Sequence, residues 1–230
     1  SLLDDNTIDA VYIPLPNALH ADWIEKALKK NIHVLVEKSL ACTYDDVIRL
    51  NDLAAKRKLA LVENFQFRFH PQLKLIKSIV DNGDIGELRC FRSSFGFPPF
   101  KDEKNIRYQK DLGGGSLLDA GAYPLKLVQL FLGDSLQVTS SKLIYDEVKK
   151  VDIWGGASLK QTHGDLFGQV AFGFDNYYQC NLELWGSKGK VFTNRIFTAP
   201  PNYSTEIIKE VDNKAEKITV DPFNHFEGML

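Results

Sequence analysis

The chain has 230 residues, 44% hydrophobic and 25% charged, the composition of a globular protein with ample apolar material for a core. Its 28 Lys and Arg against 30 Asp and Glu give a formal net charge of -2, which leaves no basic footprint for nucleic acid or an anionic membrane. No apolar run approaches the roughly 20 residues that span a bilayer, and the scattered Cys42, Cys90 and Cys180 fit a reducing compartment, so a cytoplasmic protein is expected.

The first third alternates strand and helix. Ile8 to Pro14 is a short apolar run closed by Leu15-Pro16-Asn17, a buried strand and its loop. His20 to Lys30 repeats apolar residues at Ala21, Ile24, Ala27 and Leu28, an amphipathic helix with a lysine-rich end. Ile32 to Val36 is a second buried strand. Thr43 caps the next helix, which carries Asp45 and Asp46 in its first turn and Lys56 to Lys58 in its last. Leu59 to Phe65 is a third strand. Short links between such elements predict parallel βαβ units with right-handed crossovers. Ligands of these sheets bind beyond the carboxyl ends of the strands, where Pro16, Asn17 and His20, Glu37 and Lys38, and Glu63 and Asn64 gather. No Gly-x-Gly-x-x-Gly turn precedes Ile8, and Asn224 to Leu230 resembles the start of a helix. The expectation is an internal fragment, inactive by itself.

The second part changes character. His70-Pro71 opens a helix through Leu73, Ile76 and Ile79 that closes at Asn82-Gly83. Leu88 to Phe97 is a strand, and Pro98 to Leu112 a charged loop with Arg107 and Tyr108. Strand-like runs follow at 138–145, 151–159, 167–174, 178–185, 190–197, 205–211 and 215–220, separated by turn residues. Successive strands without helices between them predict an antiparallel meander. The expected fold is therefore α/β then α+β. The C-terminal half of a Rossmann domain (1–67) precedes an open, mostly antiparallel sheet domain with helices on one face (68–230).

Between these strands lies the stretch that breaks most local rules. Gly113-Gly114-Gly115 permits close approach of backbone, with substrate the expected neighbour. The run after it is apolar at helical spacing through Leu125, Val128 and Leu132, so Asp119 and Tyr123, four apart, share a face. Pro124 should bend this helix beyond Tyr123. The five histidines have no paired ligand spacing and no Cys-x-x-Cys occurs, so no metal is expected.

Ala10 to Asn17 with His20, Val36-Glu37-Lys38-Ser39-Leu40-Ala41, and Gly113 through Pro124 together resemble the glucose-fructose oxidoreductase / inositol dehydrogenase (Gfo/Idh/MocA) family, from about Ile8 to the end of the chain. Glu63-Asn64-Phe65-Gln66-Phe67 with His70-Pro71-Gln72, Ser94 to Pro99, and Asp175, Tyr178 and Leu184 to Ser187 are similar to nucleotide-sugar C3-ketoreductases of deoxysugar biosynthesis. The resemblance implies an NAD(P)-dependent oxidoreductase that moves hydride between the nicotinamide and a ketone or secondary alcohol of a sugar, with NADP favoured over NAD. It also implies a homo-oligomer through the C-terminal sheet. The alternative is a sugar- or nucleotide-binding regulator without catalysis.

Reduction of a ketone needs a proton donor and a group to stabilise the alkoxide. Carried over residue by residue, Lys38, Tyr123 and Asp119 are the catalytic candidates, and Lys38 is expected to acidify the Tyr123 phenol. Pro16, Asn17, His20, Glu37, Lys38 and Asn64 are expected around the cofactor. Lys38, Arg107, Asp119 and Tyr123 are expected on substrate, Arg107 through a phosphate. Two departures bear on this. Ser39 stands where the family usually has proline, which should loosen the turn that aims Lys38. Tyr123 stands where many members have histidine, which favours a tyrosine acid–base partner.

Overall fold

The computed structural model describes residues 2–229. Strands β1 (Ala10–Ile13), β2 (His33–Glu37) and β3 (Leu61–Asn64) form a parallel sheet in that order, joined by helices α1 (Asn17–Lys29) and α2 (Tyr44–Arg57). Thr43 starts α2 as its composition demands: its Oγ1 accepts from Asp46 N at 3.2 Å and donates to Asp46 Oδ2 at 2.7 Å. The inner faces meet in a core of Ile24, Ala27 and Leu28 from α1, Val34 and Val36 from β2, and Leu50 and Ala54 from α2. Each Leu, Ile or Val so buried contributes about 1.5–3 kcal/mol of transfer free energy.

Helix α3 (Pro71–Asp81) leads to β4 (Leu88–Gly96), and α4 (Ala122–Leu132) precedes β5 (Leu136–Tyr145), β6 (Asp152–Gln161), β7 (Phe167–Gly173), β8 (Gln179–Gly186), β9 (Gly189–Thr193), β10 (Thr205–Val211) and β11 (Lys214–Val220). A short helix α5 (His225–Met229) docks beside the turn at Gln66–Phe69. The eight strands run β11-β10-β9-β8-β4-β7-β6-β5 across one sheet. This is not a plain meander. β4 enters the middle, antiparallel to β8 but parallel to β7, from Cys90 opposite Phe167 to Gly96 opposite Gly173. Its inward side chains Phe91 and Phe95 need cover from strands on both flanks as well as from α4, and strand periodicity carries no information on neighbour order. The run at 190–197 also ends early. Ile196 and Phe197 are buried in irregular backbone, with Ile196 N donating to Cys180 O at 3.0 Å.

The helix after the glycines is irregular before Tyr123 rather than beyond it. Leu117–Gly121 forms a widened π-turn, and α4 begins at Ala122 with Pro124 in its first turn. There the proline's missing N–H costs little, and the widened turn carries the disruption its ring would cause. Asp152 pins the start of this segment. Its Oδ2 accepts from Leu117 N at 2.6 Å and from Ser116 Oγ at 2.7 Å. Asp152→Ala leaves both donors without an acceptor, and Ser116 is fully buried. A loss of about 1–3 kcal/mol is expected in urea unfolding; an unchanged midpoint would show that the pin is dispensable. No helix among the described residues is long and apolar enough to cross a membrane.

Candidate active site

β2 delivers Lys38 to the carboxyl end of the parallel sheet. A cleft of about 220 Å³ opens there, lined by Pro14, Leu15, Pro16 and Asn17, by Glu37 and Lys38, and from the opposite side by Arg107, Gly113, Gly114, Gly115 and Asp119. Lys38 Nζ donates to Asp119 O at 2.9 Å and also to its carboxylate Oδ1. Arg107 Nε donates to Asp119 Oδ2 at 2.7 Å. The carboxylate is thus held between two cations, with the Lys38 side chain 10% exposed and that of Asp119 15%. Burial alone would raise the Asp119 carboxyl, but Lys38 and then Arg107 outweigh it and hold it below its usual range. The two cations therefore favour the ionised form of Asp119.

Tyr123 lies on the other side of Lys38, whose Nζ sits 5.1 Å from the centre of its ring. The acid and the phenol that share a spacing of four therefore meet on one lysine. The phenol is not acidified. Burial pushes it up, and the Asp119 and Glu37 charges push it further against the lowering effect of its hydrogen bond to Gln66. Lys38 faces the ring and is paired with Asp119, while the hydroxyl accepts from Gln66 Nε2 at 3.2 Å. Phe65, Phe67, Phe95 and Phe197 surround the ring at 5.1–6.0 Å between centroids. Tyr123 holds its proton firmly.

The turn that carries Lys38 is well anchored, contrary to expectation. Ser39 N donates to Asn17 Oδ1 at 3.2 Å and Ser39 Oγ to Leu118 O at 3.0 Å. Leu40 N donates to Glu63 Oε1 at 2.8 Å, with the Glu63 carboxyl raised by burial. A proline could make neither Ser39 bond, so the serine replaces ring rigidity with ties to α1 and to the π-turn.

The remaining candidates divide. Pro16, Asn17 and Glu37 line the cleft. Asn17 Nδ2 also donates to Gly113 O at 3.0 Å. Asn64 is 1% exposed behind Glu37, donating to Glu37 Oε1 at 2.7 Å, an oxygen that also accepts from Tyr12 Oη at 2.5 Å. Its own Oδ1 has no partner among the described residues. His20 is fully buried, and its ring nitrogens lie 2.7 Å from the carbonyl oxygens of Ser39 and Leu15. It braces the loops that line the cleft and is not itself on the cleft wall. The glycines approach protein rather than open space. A Cβ on Gly113 would meet Asn17 Cβ and Ala18 N at 2.9 Å, and one on Gly114 would meet Arg107 O at 2.5 Å. Gly113 also has φ +74°, a conformation glycine adopts without cost. Sequence reading missed Gln66 and Glu63 as supports, although both fall in the motif at Glu63–Phe67 that resembles the ketoreductases.

A parallel βαβ sheet whose carboxyl ends meet a Lys–Asp pair built with a second, largely antiparallel sheet defines a dinucleotide-binding α/β protein with a sheet domain behind it. Residues 1–65 match the model described as oxidoreductase family, NAD-binding Rossmann fold, and residues 73–192 match the GFO/IDH/MocA C-terminal domain. The chain belongs to the Gfo/Idh/MocA family. It is 40% identical over 98% of its length to a dTDP-3,4-didehydro-2,6-dideoxy-alpha-D-glucose 3-reductase of Actinomadura kijaniata, and 41% over 95% to the enzyme of that name from Streptomyces violaceoruber. It spans 68% and 64% of those two relatives. A 3-ketoreductase from Actinomadura kijaniata, solved with NADP and TDP-benzene, superposes with a TM-score of 0.93 at 40% identity, over 99% of this chain and 69% of that one.

Proposed function

We propose that the intact protein transfers hydride between NADP(H) and a ketone or secondary alcohol of a sugar, in the form of a nucleotide-linked 3-ketosugar. The buried Lys38–Asp119 pair at the mouth of a strand-end cleft carries this reading. The relatives' names, and the NADP and TDP-benzene held by the Actinomadura kijaniata 3-ketoreductase, support the cofactor and the substrate class. The dinucleotide fits at the strand ends, where Pro16, Asn17, Glu37 and Lys38 offer an amide, an ammonium and a carboxylate to the nicotinamide end. When bound, it supplies the hydride. Lys38 polarises the ketone oxygen and gives up a proton to the forming alkoxide, while Asp119 keeps the amine aimed. Arg107 orients Asp119 through Nε, and its Nη groups would pair with a substrate phosphate. Tyr123 closes the floor and donates a hydrogen bond with a proton it does not readily lose. Gathering Lys38, Asp119 and Tyr123 in one cluster argues for the enzyme over the regulator.

Within the same reading, residues 1–67 hold the cofactor and 68–230 the substrate. The sheet face away from the helices exposes Trp154, Phe167 and Trp185, a surface suited to a second copy of the chain. Free Cys42, Cys90 and Cys180 suit the cytoplasm.

Oxidation of NADPH by the intact protein with a panel of nucleotide-linked 3-ketosugars tests the reading. No turnover with any of them would sink it. Tyr123→Phe is expected to slow turnover about tenfold, the worth of one hydrogen bond. A loss as deep as that from removing Lys38 would instead make the phenol the proton donor.

A further inference from the structure

His20, in the first turn of α1, is fully shielded from solvent, and each of its ring nitrogens meets a backbone carbonyl oxygen at 2.7 Å. Nδ1 meets Ser39 O and Nε2 meets Leu15 O. A carbonyl can only accept. A neutral imidazole has one N–H and one lone pair, so in either tautomer one nitrogen would press its lone pair on a carbonyl oxygen, too close for a water between them. Both contacts become hydrogen bonds when both nitrogens carry a proton.

The two carbonyls belong to different loops. Leu15 follows β1 and leads to Pro16 and Asn17 on the cleft wall, while Ser39 directly follows Lys38. Ser39 is also held through its N–H by Asn17 Oδ1 and through its hydroxyl by Leu118 O. The ring therefore ties the nicotinamide-side loop to the turn on which Lys38 stands.

Burial opposes a charged ring, and two charge-assisted bonds oppose burial. The acid at this corner is Glu63 on β3, which forms no salt bridge among the described residues and accepts from Leu40 N at 2.8 Å. Burial raises its carboxyl, while that backbone bond and then the charges of Lys126, His20 and Lys38 lower it. Lys38 is already paired with Asp119, and Glu37 is held by Tyr12 and Asn64. Lys126, on α4, donates to Gln129 Oε1 at 3.4 Å. Glu63 is thus the carboxylate left to balance the ring. We propose that His20 is a positioning residue, a doubly protonated imidazolium that locks the Leu15 and Ser39 carbonyls together and so aims Lys38. Its bearing on turnover rests on the function proposed above.

Nitrogen-15 resonances of the His20 ring in the intact protein, assigned by through-bond correlation to its own backbone, read the charge directly. Two protonated nitrogens are expected at pH 7, where a neutral ring shows one bare nitrogen. Glu63→Gln keeps an acceptor for Leu40 N but no charge, so its ring should lose the second proton at lower pH than in the wild type, with kcat falling in step. His20→Gln can satisfy one carbonyl but not both. It should lower kcat about tenfold, the worth of one hydrogen bond, with KM for the ketosugar nearly unchanged. Rates are taken per NADPH-binding site, counted by calorimetric titration, so that misfolded chains do not enter. One bare nitrogen at pH 7 overturns the imidazolium. Wild-type kcat in His20→Gln, or in Glu63→Gln after its ring has lost the second proton, overturns the positioning role. If the wild type reduces no ketosugar, the function fails while the nitrogen spectrum still decides the ring.

Discussion

Lys38→Met is expected to lower turnover about 10²- to 10⁴-fold, the range of a positioned proton donor, with kcat falling more than KM rises. Lys38 touches Asp119 by salt bridge, Asp119 O by hydrogen bond and Tyr123 by its ring face. Methionine preserves the length and apolar stem while removing the ammonium. The folding cost stays below the 3–5 kcal/mol of a buried pair broken outright, because Arg107 still holds Asp119 Oδ2. Circular dichroism melting of the variant separates that modest destabilisation from lost chemistry. Asp119→Asn should cut turnover less than Lys38→Met, since it unpairs the amine without removing it. A Lys38→Met protein that folds and turns over at full rate would falsify the assignment.

The parallel unit was legible because its strands and helices have different periods and its caps are local. Thr43 reads as an N-cap in sequence and is one in space. Pairing of Lys38 with Asp119, 81 residues apart, has no periodic signature, and only the family resemblance placed them together. The glycine run shows the limit most clearly. Its freedom was readable, but whether the close neighbour was substrate or protein depended on α1 and β6 arriving beside it. Ser39 shows the same limit in reverse. Read locally it weakens a turn, yet its two hydrogen bonds reach Asn17 and Leu118, which no local reading supplies. The place of β4 between β7 and β8 is likewise a property of the whole sheet.

Acid should loosen the protein well above the range in which its carboxylates titrate. His70 is 1% exposed and caps α3 by accepting from Gln72 N at 3.2 Å through Nδ1. A protonated ring cannot accept there, its Nε2 has no partner among the described residues, and the neighbouring ring, at 6.0 Å, is a second buried histidine, His225. Burial first, and then the His225 charge, lower His70 from 6.5 to about 4, and burial lowers His225 too. Both groups bind protons more weakly folded than unfolded. Their contribution is therefore whole above pH 6.5 and lost as pH falls from there toward 4, amounting for His70 to roughly 3 kcal/mol across the window. The urea midpoint should accordingly drop between pH 7 and pH 5, before most carboxylates protonate. His70→Asn, whose side chain can still cap α3 but does not titrate, should flatten most of that drop. Because His225 lies in α5 against the turn at Gln66–Phe69 that supplies the Tyr123 partner, amide exchange of 225–229 should quicken over the same interval. A midpoint that is level from pH 7 to pH 5 in the wild type would mean that the two rings are not the acid-sensitive element.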